Sequence, residues 1–477
     1  MGIKLSSRNE PTFGPPPTGG PPSSAGMQHW EPFMRKLLRW SRVALTLITI
    51  AYVFCVGFVF YMIEYDAEDH HLSALFMYLP QYIWLFPLFV LTPLCLLIYS
   101  RLVLLHMIVA GLVLFVFMDY VFKGPSDVGG VKFTVMTNNI GEDHGKKVHK
   151  FIDAEDPDVI VLQDAKGRFS EYKTEYGSTH WLHSQDQFLL VSKFPIVGGG
   201  NLELEDYQLR MLKVDSLEQL PQSGRLEVIV ATVAGKLHVR IFEADSKIGL
   251  NVEGRGLVKG QDRTNLEGLV NDARFPDVPL TPEIQKAVIR AVRVAAKHRR
   301  HELAAWFEVD VRGTGVYIFA VHMPTPRDQL EAAKGFGLLG SVAHRVKKGG
   351  HADKVYLEGK AFFRYQLELA NKLIDFTREA DKPYIVAGDF NIPTHGKTYH
   401  AYKKAWTEVF DEVGKGYGAT FPGDAPKGLP PWLRLDNIYC SRNLRPVSAM
   451  AEKGRGSQHL AMLAELALPR MAGIATR

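Results

Sequence analysis

Three long apolar blocks near the N-terminus constrain this 477-residue chain more than any other feature. They run Val43–Ile63, Leu75–Tyr99 and Leu102–Val121. Each is about 20 residues or longer, enough for a helix to cross a hydrocarbon core of roughly 30 Å. The first carries no charge. The second contains Pro80, Pro87 and Pro93, which membrane helices tolerate better than soluble ones. The third holds the ionisable residues His106 and Asp119 and is the weakest of the three as a span. Three buried helices of a soluble protein are the alternative, but no amphipathic stripe interrupts the first two blocks.

The segment before the first block is rich in Pro, Gly and Ser and reads as a disordered tail over residues 1–35. It sets the first block too deep, and the block is too long, for an ordinary cleaved signal peptide. A retained multi-pass anchor over residues 36–123, with three helices, is expected. Lys36, Arg39 and Arg42 precede the first span, the Glu64–His71 loop is acidic, and Arg101 lies between spans two and three. The positive-inside rule then puts the N-terminus in the cytoplasm and everything after Lys123 outside it. The net charge of +5 favours anionic partners weakly and does not by itself indicate nucleic acid. Of the three cysteines, Cys55 and Cys95 fall in spans, so Cys440 is alone in the remainder and reports no redox compartment.

Residues 124–130, Gly-Pro-Ser-Asp-Val-Gly-Gly, read as a linker. A globular region follows over 131–468, with a short tail at 469–477. Its strand patterns are Lys132–Thr137, Asp158–Gln163, Gln187–Ser192, Leu226–Val233, Leu237–Phe242, Ala304–Val311, Val316–Val321, Pro383–Gly388 and Arg434–Cys440. Helical patterns fall at Lys146–Glu155 and Phe362–Ala380. Strands outnumber helices and do not alternate with them, which predicts an α+β layered sandwich and not a doubly wound parallel sheet. Residues 244–301 break the strand rhythm and read as an insertion. It carries a helix from Thr281 to about Arg300 with a basic stripe of Lys286, Arg290, Arg293, Lys297 and Arg300. The stripe is either a contact for an anionic surface or a solvated helix face, with the solvated face slightly favoured.

The run Ala387-Gly388-Asp389-Phe390-Asn391 ends one strand pattern. It places a carboxylate and a carboxamide two apart at the strand's lip, with Phe390 free to turn back into the core. Four more polar signals close other strands: Thr137-Asn138-Asn139, Gln163-Asp164, His322-Met323-Pro324, and the pair Asp436-Asn437 with Ser457-Gln458-His459. In this order the motifs resemble the endonuclease/exonuclease/phosphatase superfamily, the DNase-I-like phosphoesterases. The resemblance covers roughly residues 131–468 outside the insertion. Phe188–Pro195 and Ala419–Pro422 also look like that family's connecting segments.

The resemblance implies a four-layer αββα sandwich and a metal-dependent phosphoesterase. It implies that Asp164 ligates Mg²⁺ (or Mn²⁺) with Asn139 assisting, and that Asp389 orients and deprotonates a water with Asn391 beside it. His459 would donate to a phosphoryl oxygen while Asp436 holds its tautomer, and His322 would contact the phosphate or the leaving group. Gln458, Arg327 and Arg364 are further candidates for substrate binding. Read singly, each residue has a plainer role: Asn139 a turn residue rivalled by Asn138, Asp164 a helix cap, His322 a core histidine, Asp436 a strand-end hydrogen bonder.

Two positions depart from the family pattern. Gln163-Asp164 stands where the family usually has Gln-Glu, and Ser457-Gln458-His459 where it has Ser-Asp-His. The second change removes a carboxylate and favours a one-metal over a two-metal site. The expected substrate is a phosphate ester of nucleic acid or of a lipid headgroup, met at a membrane bilayer; no protein partner is inferred. The alternative is a catalytically weak phosphate-binding or sensing module.

Overall fold

A computed structural model of the chain describes residues 25–141, 145–202, 204, 303–327, 330, 351–426, 428–453 and 458–469, and strands between 217 and 262. Residues 1–24, the basic helix expected from Thr281 and residues 470–477 lie outside the described residues, while residues 25–35, expected as part of a disordered tail, belong instead to helix Ala25–Tyr61, which continues into the first apolar block. Three helical segments are long and apolar enough to cross a membrane: Pro32–Asp66, Gln81–Ile98 and Ser100–Phe117. The chain divides into two compact units, Met1–Phe54 with Phe86–Ala110, and Cys55–Leu85 with Gly111–Arg477. Within the first, His106 is buried and sits between Thr49 and Thr92, whose hydroxyls lie 3.2 and 3.1 Å from its ring nitrogens. A polar residue inside an apolar helix is thereby satisfied.

The second apolar block is not one helix. Residues His71–Tyr78 form their own short helix, Leu79 is extended, and the next helical turn begins at Gln81. Pro80 accounts for the break: it has no N–H to continue the ladder and pushes the preceding residue out of the helical region.

The second unit carries two six-stranded sheets. The first runs 445–451, 462–468, 131–139, 159–163, 188–192, 181–185 in spatial order. The second runs 407–408, 436–440, 384–389, 314–322, 304–311, 196–201. Each sheet is antiparallel except for one central parallel pair, 131–139 with 159–163 and 314–322 with 384–389. The sheets face each other across a core that includes Phe133, Val135, Val161, Phe307, Ile318, Ile385, Ile438 and Leu466. On the outer face of the first sheet, Met136, Ile160 and Leu162 meet Val148, Ile152, Tyr172 and Tyr176 from helices Gly145–Glu155 and Phe169–Tyr176. On the outer face of the second, Tyr439 packs with Tyr402 and Trp406 at helix Gly396–Ala405. The Trp406 indole donates to Thr377 in the long helix His351–Arg378. This is the expected four-layer αββα sandwich of the DNase-I-like fold.

Two strand patterns belong elsewhere. Leu226–Val233 and Leu237–Phe242 pair with each other, in strands Arg225–Thr232 and Gly235–Ala244, inside a separate five-stranded antiparallel meander spanning Leu217–Asp262. The segment expected as an insertion from residue 244 shares that meander. An apolar run of six to eight residues does not by itself specify which sheet it joins.

Candidate active site

Strand parity builds the site. Side chains two apart share a face, so Asn139 continues the inward series Phe133, Val135, Thr137. His322 follows Val316, Ile318 and Ala320. Asp389 follows Ile385 and Ala387, and Asp436 shares its face with Ile438 and Cys440. Register brings these inward ends to one level: Asn139 lies opposite Gln163, His322 opposite Asp389, and Asp389 opposite Asp436. Gly388 allows the close approach, since a Cβ there would stand 1.9 Å from the Val321 carbonyl oxygen. The same parity sends Asn138 to the other face, where its amide donates to the His459 carbonyl. Phe390 does turn into the core, against Tyr402 and Tyr439.

Asp389 is the centre of the array and is buried. Its Oδ2 accepts from the Asn139 amide at 3.0 Å and from the Asn391 amide at 3.1 Å, and its Oδ1 accepts from the Asn391 backbone at 2.9 Å. His322 Nε2 and His459 Nε2 each lie 3.7 Å from the same Oδ2. Burial pushes the Asp389 carboxyl up, against the pull of the two histidines. Asn391 adopts a left-handed φ of 51° and sends its amide on to the Met323 carbonyl at 2.8 Å.

Asp436 receives His459 Nδ1 at 2.8 Å. Burial alone would lower the His459 pKa, but the Asp436 and Asp389 carboxylates outweigh it and lift it to about 9. Asp436 is itself held through its backbone: Thr420 Oγ1 accepts from the amides of Leu435 and Asp436 at 3.2 and 3.1 Å. The Ala419–Pro422 segment thus serves the site by placing one hydroxyl, and Phe421 lies over the His459 ring at 4.9 Å. Asp389, Asp436 and His459 bring ligand-capable atoms within 4.8 Å of one another. The His459 Nδ1 is already taken by Asp436, which leaves Nε2 facing Asp389.

Asp164 sits in a left-handed turn (φ 54°) directly after its strand. It is not the cap of the following helix, which starts beyond Arg168. Its carboxylate faces His322 Nδ1 at 3.5 Å. A cavity of about 430 Å³ gathers Asn139, Asp164, His322, Asp389, Asn391 and His459, and Arg327 and Gln458 reach its exposed rim. Arg364 is exposed on the long helix and is not part of the lining.

Two site residues escaped the sequence reading. Gln187, fully buried, accepts from His322 Nδ1 at 2.7 Å and so leaves Nε2 facing Asp389. A polar residue opening an otherwise apolar strand was the available signal. Tyr78, from the short helix between the first two candidate spans, lines the cavity and donates to the Asn391 carbonyl at 2.9 Å. Nothing in the sequence marked it.

No match was found among curated proteins. Among solved structures, the chain is similar to an endonuclease/exonuclease/phosphatase family protein from Bacteroides thetaiotaomicron, with 13% identity over 72% of this chain and 99% of that one and a TM-score of 0.39. It is similar to a mannosyl-6-phosphatase from the same organism, with 14% identity over 70% and 99% and a TM-score of 0.37. A humanized D. rerio TDP2 shows 11% identity over 70% and 99%, with a TM-score of 0.35. The family model described as Endonuclease/Exonuclease/phosphatase family matches residues 136–459, more than half of the chain and every motif from the Asn139 strand to His459. The chain belongs to the endonuclease/exonuclease/phosphatase family.

Proposed function

We propose that the protein is a membrane-anchored, Mg²⁺- or Mn²⁺-dependent phosphoesterase that hydrolyses a phosphodiester or phosphomonoester outside the cytoplasm. The observation that carries this reading is the buried Asp389 carboxylate, held by two amides and flanked by His459 and His322 at the floor of an open cavity. The donor chemistry fits a hard cation. Asp164 supplies a carboxylate at the cavity, and Asn139 an amide oxygen that accepts from Gly141 and keeps a second lone pair. The bound ion supplies charge neutralisation at the phosphate and a more acidic water.

The remaining steps belong to the chain's own side chains. Asp389 orients the attacking water and takes its proton, and Asn139 and Asn391 keep the carboxylate from rotating. His459, held cationic by Asp436, donates to a phosphoryl oxygen where negative charge gathers. His322, with Nδ1 committed to Gln187, presents Nε2 to the phosphate or the leaving oxygen. The basic flank Lys36, Arg39 and Arg42, with three candidate spans, supports a domain placed outside the cytoplasm.

The test is turnover of bis-p-nitrophenyl phosphate by the full chain in detergent, with and without chelator. Activity should require Mg²⁺ or Mn²⁺, and Asp389→Asn should lower kcat by a factor of about 10³ or more with little change in Tm. Wild-type rates in that variant would overturn the assignment. Absence of any turnover would favour the binding-module alternative. Protease protection of residues 131–468 in intact spheroplasts would overturn the placement outside the cytoplasm.

A further inference from the structure

We propose that the loop between the first two candidate spans is part of the active site: Tyr78 positions Asn391 and walls the cavity on which the apolar portion of a membrane-borne phosphate ester rests. The inference deepens the phosphoesterase reading and rests on it for the position of the phosphate.

The loop is built into the catalytic unit. Glu68 is buried and its two oxygens accept from the backbone amides of Lys397 and Thr398 at 2.9 and 2.8 Å, satisfying the first turn of helix Gly396–Ala405. This is the capping role that a carboxylate fills best at a helix N-terminus, here supplied by a residue more than 300 positions away. Asp69 pairs with Lys397 and with Lys360 at 3.2 Å. Glu64 meets His395 at 3.2 Å and also His400, and His395 Nε2 donates to the Phe117 carbonyl at 2.8 Å. These contacts carry helix His71–Tyr78 to the cavity.

Tyr78 is held at both ends. Its carbonyl accepts from the Trp432 indole at 3.2 Å, and its hydroxyl donates to the Asn391 carbonyl. Asn391 is the residue whose backbone and side chain both grip Asp389. The hydroxyl therefore acts on Asp389 through Asn391, as a positioning group. Tyr78 lines the cavity together with the apolar side chains Phe421, Leu433, Leu435 and Leu330 and the polar ones Asn139, Asp164, His322 and His459. A cavity that offers both polar and apolar lining fits a phosphate with a hydrocarbon group attached. Tyr78 precedes Gln81, where the second candidate span starts, by three residues. That is at most about 11 Å of chain, so the apolar wall stands close to where the chain enters the bilayer. A phospholipid is the occupant this geometry favours over a nucleic acid, which would need a groove tracking several phosphates.

The experiment uses the full chain in nanodiscs of neutral lipid, with Mg²⁺ present. Tyr78→Phe removes only the hydroxyl. It should lower kcat for bis-p-nitrophenyl phosphate about fivefold and leave KM within twofold, the signature of a misaligned base and not of a lost binding surface. Tyr78→Ala removes the wall. In the wild type, dihexanoyl phosphatidic acid should inhibit at least tenfold more tightly than inorganic phosphate. Tyr78→Ala should erase most of that ratio while the inhibition constant for phosphate stays within twofold. A wild-type ratio near one, an unchanged ratio in Tyr78→Ala, or tighter inhibition by a single-stranded oligonucleotide than by the lipid would overturn the proposal. Calorimetric binding of dihexanoyl phosphatidic acid separates the two readings. Binding that depends on Tyr78 in a protein without turnover sinks the enzyme and keeps the wall. Turnover with binding indifferent to Tyr78 keeps the enzyme and sinks the wall.

Discussion

Replacing Asp436 by Asn tests the proton economy of the site. In the wild type the His459 imidazole titrates at about 9, against an ordinary value of 6.5. That rise corresponds to roughly 3 kcal/mol of preference for the charged ring, at about 1.36 kcal/mol for each tenfold change in the proton equilibrium. Asp436, hydrogen-bonded at 2.8 Å, is the largest of the carboxylate contributions, followed by Asp389 at 3.7 Å and then Asp164. The Asp436→Asn variant would keep an acceptor for Nδ1–H and lose the charge, so the ring should become more acidic by about one to two pH units. The assay is kcat against pH for the full chain in detergent. Wild-type activity should hold until its basic limb near pH 9, and the variant's basic limb should fall between about pH 7 and 8. The sign for stability follows from linkage. A folded pKa raised above the unfolded one contributes fully below about pH 6.5 and is lost as pH rises through about 9. The Tm gap between the two proteins should accordingly be widest near pH 6 and shrink by about pH 9. An identical basic limb in Asp436→Asn would refute the argument, because His459 would then owe its charge, or its role, to something other than Asp436.

Two further substitutions probe the cavity. Asp164→Ala should raise the Mg²⁺ concentration for half-maximal rate tenfold or more while kcat at saturating metal falls less; unchanged metal dependence would remove Asp164 from the ligand set. Gln458→Asp adds a carboxylate at the rim and should strengthen metal binding severalfold, and an unaltered metal titration and pH profile would mean that this side chain stays outside the reaction.

The polar cluster at the cavity was legible because it sits where parity and strand ends coincide. Asn139, His322, Asp389 and Asp436 each continue an inward apolar series by one step of two, so the pattern that makes the strands also aims these side chains. Asn138 and Asn139 could have been told apart on parity alone. Gln187 was hidden because its partner, His322, is 135 residues away, and a buried amide reads as an ordinary strand opener. Tyr78 was hidden more deeply. It lies in an apolar block whose composition suits a bilayer, and only the break at Pro80 frees it to face a protein cavity. Arg364 lies outside the cavity lining because a cation on a long helix can face any direction, and this one faces solvent. The strands at 226–242 were recognised as strands but not as a separate sheet, since pairing partners are chosen by tertiary context.

The Arg434 side chain, wholly shielded from solvent, has a practical consequence for anyone who wants the domain without the apolar helices before it. Its guanidinium meets Asp119, from the stretch just after the third candidate span, together with Glu408 at 3.2 Å and Asp411 at 3.0 Å. A truncation starting at residue 124 would delete Asp119, and with it the strand pairing of Val121–Phe122 to Lys415–Gly416 and the Glu68 cap on the helix at Gly396. Removing one partner from a buried charge cluster costs several kcal/mol, a large share of a domain's whole stability. The soluble fragment that the Gly- and Pro-rich stretch at 124–130 invites should therefore express poorly or melt well below the full chain in differential scanning fluorimetry. Co-expressing it with a chain ending after residue 123 should restore part of the loss, as though the segment that carries Glu68 and Asp119 were a second subunit that happens to share the same polypeptide.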